Sequence, residues 1–178
     1  MPIPIALRVE APAWRRRLPG VARLVRRAAR AALDAASGAA SDAASDPGGS
    51  RDGAGGLCLV LADDALQRRL NREFRGADKP TNVLSFEGAP ATLGDVVLAL
   101  ETIAAEAEAQ GKTLDDHVAH LVVHGVLHLM GYDHQRRDQA RRMETLEIEI
   151  LAGLGIADPY ALPALASSAP RRRAGVRL

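Results

Sequence analysis

Apolar residues recur along this chain at two spacings, and the changes between them predict the elements. Ile3 to Val9 is a short apolar run with prolines at its start, which predicts a first strand. From Trp14 to Ala36 the period becomes helical: Trp14, Leu18, Val21, Leu24, Val25, Ala28 and Ala32 share a face, with arginines opposite. Pro19 interrupts that pattern and suits the first turn of the helix. Ser37 to Gly56 has no period and is built from Ala, Gly, Ser and Asp, so it reads as a flexible loop (37–56) inserted within one domain. Leu57 to Ala62 predicts a buried strand, and Asp63 caps a helix over Asp64 to Phe74 with Leu66, Leu70 and Phe74 as its stripe. Gly76 ends that helix, Pro80 imposes an extended approach, and Val83 to Phe86 alternates as a strand. A turn over Glu87 to Thr92 leads to a strand at Leu93 to Leu100, then an alanine-rich helix over Glu101 to Gln110 closed by Gly111.

Thr113 caps the next helix, whose apolar positions Leu114, Val118, Leu121, Val122, Val126, Leu129 and Met130 spread widely around it. That breadth marks a helix buried on most sides. A last helix over Gln135 to Leu154 turns Met143, Leu146, Ile150 and Leu151 inward. The expected architecture is α+β: a small mixed four-stranded sheet packed with about five helices around a central buried one. Residues 1–160 form a single domain in this reading, and 161–178, rich in Pro, Ser and Arg, a disordered tail.

Composition changes this picture little. A chain of 178 residues with 3% aromatics must build its core from Ala, Val, Leu and Ile. Net charge is +1, but nearly all positive charge is arginine, with Lys79 and Lys112 the only lysines. Arginine clusters at 15–17, 23–30, 68–75, 136–142 and 171–173 suit phosphate, although each alone is more simply a solvated face. A single cysteine, Cys58, in an apolar run excludes a disulfide framework and reads as a small core residue. No signal peptide and no membrane-length apolar stretch is evident, so a cytoplasmic protein without a membrane partner is expected.

Candidate chemistry concentrates in one place. All five histidines lie between His117 and His134. His124 and His128 project from one helical face, and Gly131 lets the chain turn back to present His134. Three imidazoles with a fourth tetrahedral position open match a catalytic site for one zinc ion, which also makes His124 a catalytic residue. His117 and His120 suit supporting roles behind the ligands. The spacing also fits the zinc-protease pattern His-Glu-x-x-His-x-x-Gly-x-x-His, but Gly125 stands where that pattern places its general base. His117, His120 and Asp133 are the other candidates for a base.

The run from His124 to His134, preceded by Pro80 to Phe86 and by Leu93 to Val96, and closed by Gly155 to Tyr160, resembles the YbeY family of bacterial rRNA maturation factors. The resemblance covers most of residues 57–160. It implies a zinc-dependent, single-strand-specific endoribonuclease acting in 16S rRNA 3′-end maturation and ribosome quality control. It implies His124, His128 and His134 as metal ligands and Arg75, in the Phe-Arg-Gly run, as a functional arginine. Its implied partners are ribosomal RNA and the small ribosomal subunit, with ribosomal proteins or an assembly GTPase. Lys79, Asn82 and Ser85 are the RNA-binding candidates, although Asn82 and Ser85 equally fit turn and strand-edge roles. The chain departs from the family pattern in its long 37–56 loop and in Glu87-Gly88 after Phe86. A metallopeptidase and a non-catalytic ribosome-assembly factor with structural zinc are the alternatives.

Overall fold

A computed structural model describes residues 2–42 and 55–161. Four strands form one mixed sheet: β1 (Ile5–Val9), β2 (Leu57–Ala62), β3 (Val83–Glu87) and β4 (Gly94–Ala99), in the order β1-β2-β4-β3. β1 and β4 each pair with β2 in parallel, while β3 returns antiparallel on β4, with Ser85 opposite Val96. β3 is therefore an edge strand.

The helices are α1 (Ala13–Arg17), α2 (Val21–Asp42), α3 (Asp64–Arg75), α4 (Leu100–Ala109), α5 (Leu114–Leu129) and α6 (Arg137–Gly153). The strand pleat divides the core between the two faces of the sheet. Leu57, Leu59, Leu61, Val96 and Leu98 face α2, α5 and α6 in the main core. Val60, Ala62, Leu84 and Val97 face the other way, against Leu66 and Leu70 of α3. Partly buried Cys58 belongs to this smaller cluster. α5 is buried along most of its length, as its broad apolar arc predicts.

The expected N-terminal helix is divided. Leu18 leaves helical geometry and Pro19-Gly20 form a turn, so Pro19 precedes α2 rather than lying in its first turn. Trp14, on the short α1, is fully buried and its Nε1–H donates to the Ala62 carbonyl at 2.7 Å. At the other end α2 runs on to Asp42, past the expected loop start at Ser37. Alanine-rich sequence extends a helix readily once tertiary packing has established it. The remainder of the expected loop, 43–54, and the tail from 162 lie outside the described residues.

The predicted caps are in place. Asp63 accepts from the Leu66 amide at 2.8 Å, and Thr113 accepts from the Asp116 amide at 3.1 Å. Gly76 closes α3 at φ 69°, the left-handed conformation that glycine adopts without penalty.

Candidate metal centre

α5 ends in a way that gathers three imidazoles. The Met130 amide still bonds the Val126 carbonyl at 3.0 Å, Gly131 takes φ 94°, and the Tyr132 amide bonds back to the Leu127 carbonyl at 3.0 Å. The chain reverses there, and His134 comes to stand beside His124 and His128 from the preceding helical turn. Ring centroids lie 4.6 Å apart for His124 and His128, 4.9 Å for His128 and His134, and 5.7 Å for His124 and His134. Donor atoms of all three converge within 4.8 Å.

The donor set fits one tetrahedral ion. Two nitrogens each about 2.0–2.1 Å from such an ion stand roughly 3.3 Å apart. His124 Nε2 and His128 Nε2 are separated by 3.1 Å. Burial, followed by the neighbouring rings of His124 and His134, lowers the His128 pKa, so the ring stays neutral and able to donate a lone pair.

A carboxylate from α6 fixes His124, the first of the candidate ligands. Glu147, fully buried, places Oε1 2.6 Å from His124 Nδ1. Burial opposes its ionisation, but His120, His124 and the Tyr160 hydroxyl aim at the carboxylate and hold its pKa down to about 2. An ionised carboxylate only accepts hydrogen bonds, so His124 must donate from Nδ1, which leaves the Nε2 lone pair facing His128 and His134. His120, His124 and Glu147 also lie within ligating distance of one another. The 2.6 Å contact is a direct hydrogen bond, however, and makes Glu147 the support behind a ligand. Tyr160 donates to the other oxygen of Glu147 and packs its ring edge-on to His120 at 5.4 Å. Burial, then the bond to Glu147, pushes the Tyr160 hydroxyl pKa up, so the proton stays on the phenol.

A second polar group lies about two turns earlier on α5, at His117. Glu106 of α4 accepts from the Asn82 amide nitrogen at 3.0 and 3.2 Å and bonds His117 Nε2 at 2.8 Å. Asn82 Oδ1 in turn accepts from the Val83 amide at 2.6 Å, at the start of β3. This group ties the edge strand to α4 and α5.

A cleft of about 530 Å³ opens on the three imidazoles. Arg75, Asn82, Ser85, Glu87 and Asp133 are among the residues that line it with the histidines. Arg75 reaches across from the end of α3 and donates to the Ser85 carbonyl at 3.2 Å, leaving most of its guanidinium donors to the cleft. Ser85 itself donates to the Gly125 carbonyl at 3.0 Å. Lys79 is exposed and is not among the lining residues; its carbonyl accepts from Asn71 at 2.8 Å. Of the three candidate bases, His117 and His120 lie behind the ligands, and Asp133 lines the cleft.

Gly125 proves to be a packing residue. A Cβ there would meet Val96 Cγ1 at 2.7 Å and Ser85 Oγ at 3.1 Å, so no side chain fits between α5 and the sheet. The position that carries a glutamate in the zinc-protease pattern is closed by the crossing of the helix over β3 and β4.

Sequence reasoning singled out the three converging histidines and, through the resemblance, Arg75, but passed over Glu147 and Glu106. Nothing local distinguishes Glu147 from its neighbours Glu144 and Glu149 on α6. A signal existed in the inward stripe of that helix, since Glu147 falls between Met143 and Ile150 and inherits their burial.

Comparison with known proteins agrees with this geometry. The family model described as Endoribonuclease YbeY matches residues 29–155. A protein of that name from Paramagnetospirillum magneticum is 49% identical over 170 residues, spanning 89% of this chain and 96% of the relative. Another, from Rhodospirillum rubrum, is 47% identical and spans 90% of this chain and 82% of the relative. The solution structure of TM1509 from Thermotoga maritima shares the fold, with a TM-score of 0.51 at 19% identity over 88% of this chain and 99% of that one. With a converging histidine triad at the end of its buried helix and matches of this extent, the chain belongs to the YbeY endoribonuclease family.

Proposed function

We propose that this protein is a metal-dependent endoribonuclease that processes ribosomal RNA, cutting single strands in 16S rRNA 3′-end maturation and ribosome quality control. The observation that carries the reading is the open cleft holding three imidazoles on one wall and the Arg75 guanidinium on the other. Zinc is the ion that three neutral imidazoles with an open position suit best. When bound, such an ion polarises a phosphoryl oxygen and lowers the pKa of a water molecule.

The protein's own side chains account for the rest. His124, locked in one tautomer by Glu147, and His128 and His134 supply the lone pairs. Arg75 receives the scissile phosphate between fixed donors and offsets the charge that grows on its oxygens in the transition state. Asp133 accepts the proton of the attacking water, as the cleft-lining carboxylate beside the ligands. Asn82 and Ser85, both lining the cleft, shape its wall through their bonds to Glu106 and to the Gly125 carbonyl, and the RNA strand passes against that wall. Lys79 acts at longer range as a surface charge toward the RNA backbone. A small-subunit RNA substrate implies work in the cytoplasm, among ribosomal proteins or with an assembly GTPase. Among the described residues no helix is long and apolar enough to cross a membrane.

The closed position at Gly125 favours this reading over a metallopeptidase, which needs its base there. The open cleft favours it over a purely structural metal, whose site would be closed by a fourth protein ligand. The test is cleavage of single-stranded against duplex RNA by the zinc-loaded protein, with His128→Ala and Arg75→Ala beside it. Arg75→Ala should lower kcat by about 100- to 1,000-fold while the fold is kept. A zinc-loaded wild type that leaves single-stranded rRNA intact sinks the proposal.

A further inference from the structure

The chain contains two phenylalanines, and neither belongs to the main core: Phe86 packs on the smaller apolar cluster, on the α3 side of the sheet. Phe74 of α3 and Phe86 of β3 meet edge to face, with centroids 5.2 Å apart and planes at 64°. Arg75, next to Phe74 at the end of α3, lines the cleft, and the aromatic pair stands across the edge strand from it: Ser85 and Glu87 border the cleft, while Phe86 between them turns to α3. Phe74 is 58% exposed, although the Leu66-Leu70-Phe74 stripe would bury it if α3 merely closed over the smaller apolar cluster. Among the described residues one other large hydrophobic side chain is exposed, Tyr160, and it is anchored to Glu147 behind the ligands. Positive charge outweighs negative near Phe74: Arg69 and Arg72 are exposed on α3 beside Arg75, with Glu73 exposed among them, while Arg68 is taken up by Asp78 at 2.8 Å.

We propose that Phe74, backed by Phe86 and flanked by Arg72 and Arg75, is a stacking platform for one unpaired nucleobase adjacent to the phosphate held by Arg75. This rests on the nuclease reading above and adds a base subsite to it. An aromatic face within an arginine-lined groove is the chemistry that holds single strands without reading their sequence. A base already stacked within a duplex cannot occupy it. The platform thus gives a physical source for a preference for single strands, which the metal ligands alone do not supply.

The experiment measures binding and cleavage separately, using the full chain. Binding of a fluorescent single-stranded RNA is followed by anisotropy for wild type, Phe74→Leu, Phe74→Ala and Phe74→Tyr. The same RNA is also prepared with one abasic ribose at each position in turn. Phe74→Leu keeps apolar volume but loses the π face, and should weaken binding about 10-fold, as should Phe74→Ala; Phe74→Tyr should bind like wild type. One abasic position should cost the wild type about the same 10-fold and cost Phe74→Ala almost nothing, with melting temperatures confirming that each variant is folded. Wild-type affinity in Phe74→Leu, or equal abasic losses in wild type and Phe74→Ala, overturns the platform. Binding that depends on Phe74 without any cleavage by the wild type overturns the nuclease reading instead, and a wild type that does not bind the RNA overturns both.

Discussion

Two residues of this site act through what they exclude or fix. Gly125 is helical, and replacing a helical glycine by alanine ordinarily stabilises by up to about 1 kcal/mol. Here the added Cβ would stand 2.7 Å from Val96 Cγ1, on a β-branched, fully buried side chain that cannot swing aside. Overpacking of this kind costs about 1–3 kcal/mol, so the clash outweighs the propensity. Gly125→Ala should lower the denaturant midpoint and shift His124 with the helix; an unfolding curve at or above wild type would disprove the close packing. Glu147 acts in the opposite sense, by fixing. Glu147→Gln keeps the shape and an accepting oxygen but removes the charge that selects the His124 tautomer. Loss of such a partner weakens metal affinity by about 10- to 100-fold. Competition with a chromophoric chelator measures this directly, and an unchanged dissociation constant would show that Glu147 is mere filling.

At the scale of elements, the capping signals and the mixed sheet around a central helix were legible, while the placing of Pro19 and the particular long-range partnerships were not. Asp63, Gly76, Thr113 and Gly131 act within one turn of their own position, and each starts or stops its element where the sequence places it. The order of the strands and the bond from Asn82, before β3, to Glu106 of α4 depend on residues far apart in the chain. The Asn82-Glu106-His117 group shows why. Each member looks like an ordinary polar residue until β3, α4 and α5 are brought together. This group also gives α5 a pH dependence. Burial, as the leading cause, lowers the His117 pKa below 6.5, with the bond to Glu106 opposing it and the positive fields of His120 and Lys112 assisting. Below that pH the unfolded chain therefore binds more protons than the folded one, and stability falls as pH falls. His128 contributes in the same direction in metal-free protein. The metal-free wild type should lose stability steadily from pH 7 to 5, and His117→Asn should show a shallower loss over the same window. Thermal unfolding across that range checks it, and parallel profiles would refute it.

Across the whole molecule, the candidate metal centre joins separate parts of the chain. Its candidate ligands come from the end of α5 and the turn beyond, the buried carboxylate behind His124 from α6, and the clamp on that carboxylate from Tyr160, beyond the last helix. The histidine triad was legible in the sequence because it lies within one local motif. The clamp was not, because Tyr160 meets Glu147 only once Gly155 has turned the chain back over α6. Lys112 fastens the same returning segment by donating to the Pro159 carbonyl at 2.7 Å. An ion bound to ligands so connected should stabilise the domain as a unit, because the unfolded chain offers the histidines but not the buried carboxylate. At free zinc roughly 1,000 times the dissociation constant, linkage gives about 4 kcal/mol. For a domain of this size that corresponds to a rise in melting temperature of about 10 °C. Tyr160→Phe retains the ring against His120 and removes only the hydroxyl that bonds Glu147. Its zinc-free melting temperature should stay within a few degrees of wild type while its zinc-induced rise shrinks. Calorimetry with and without zinc separates the two effects. An equal rise in both proteins would mean that the closing segment covers the site without holding it.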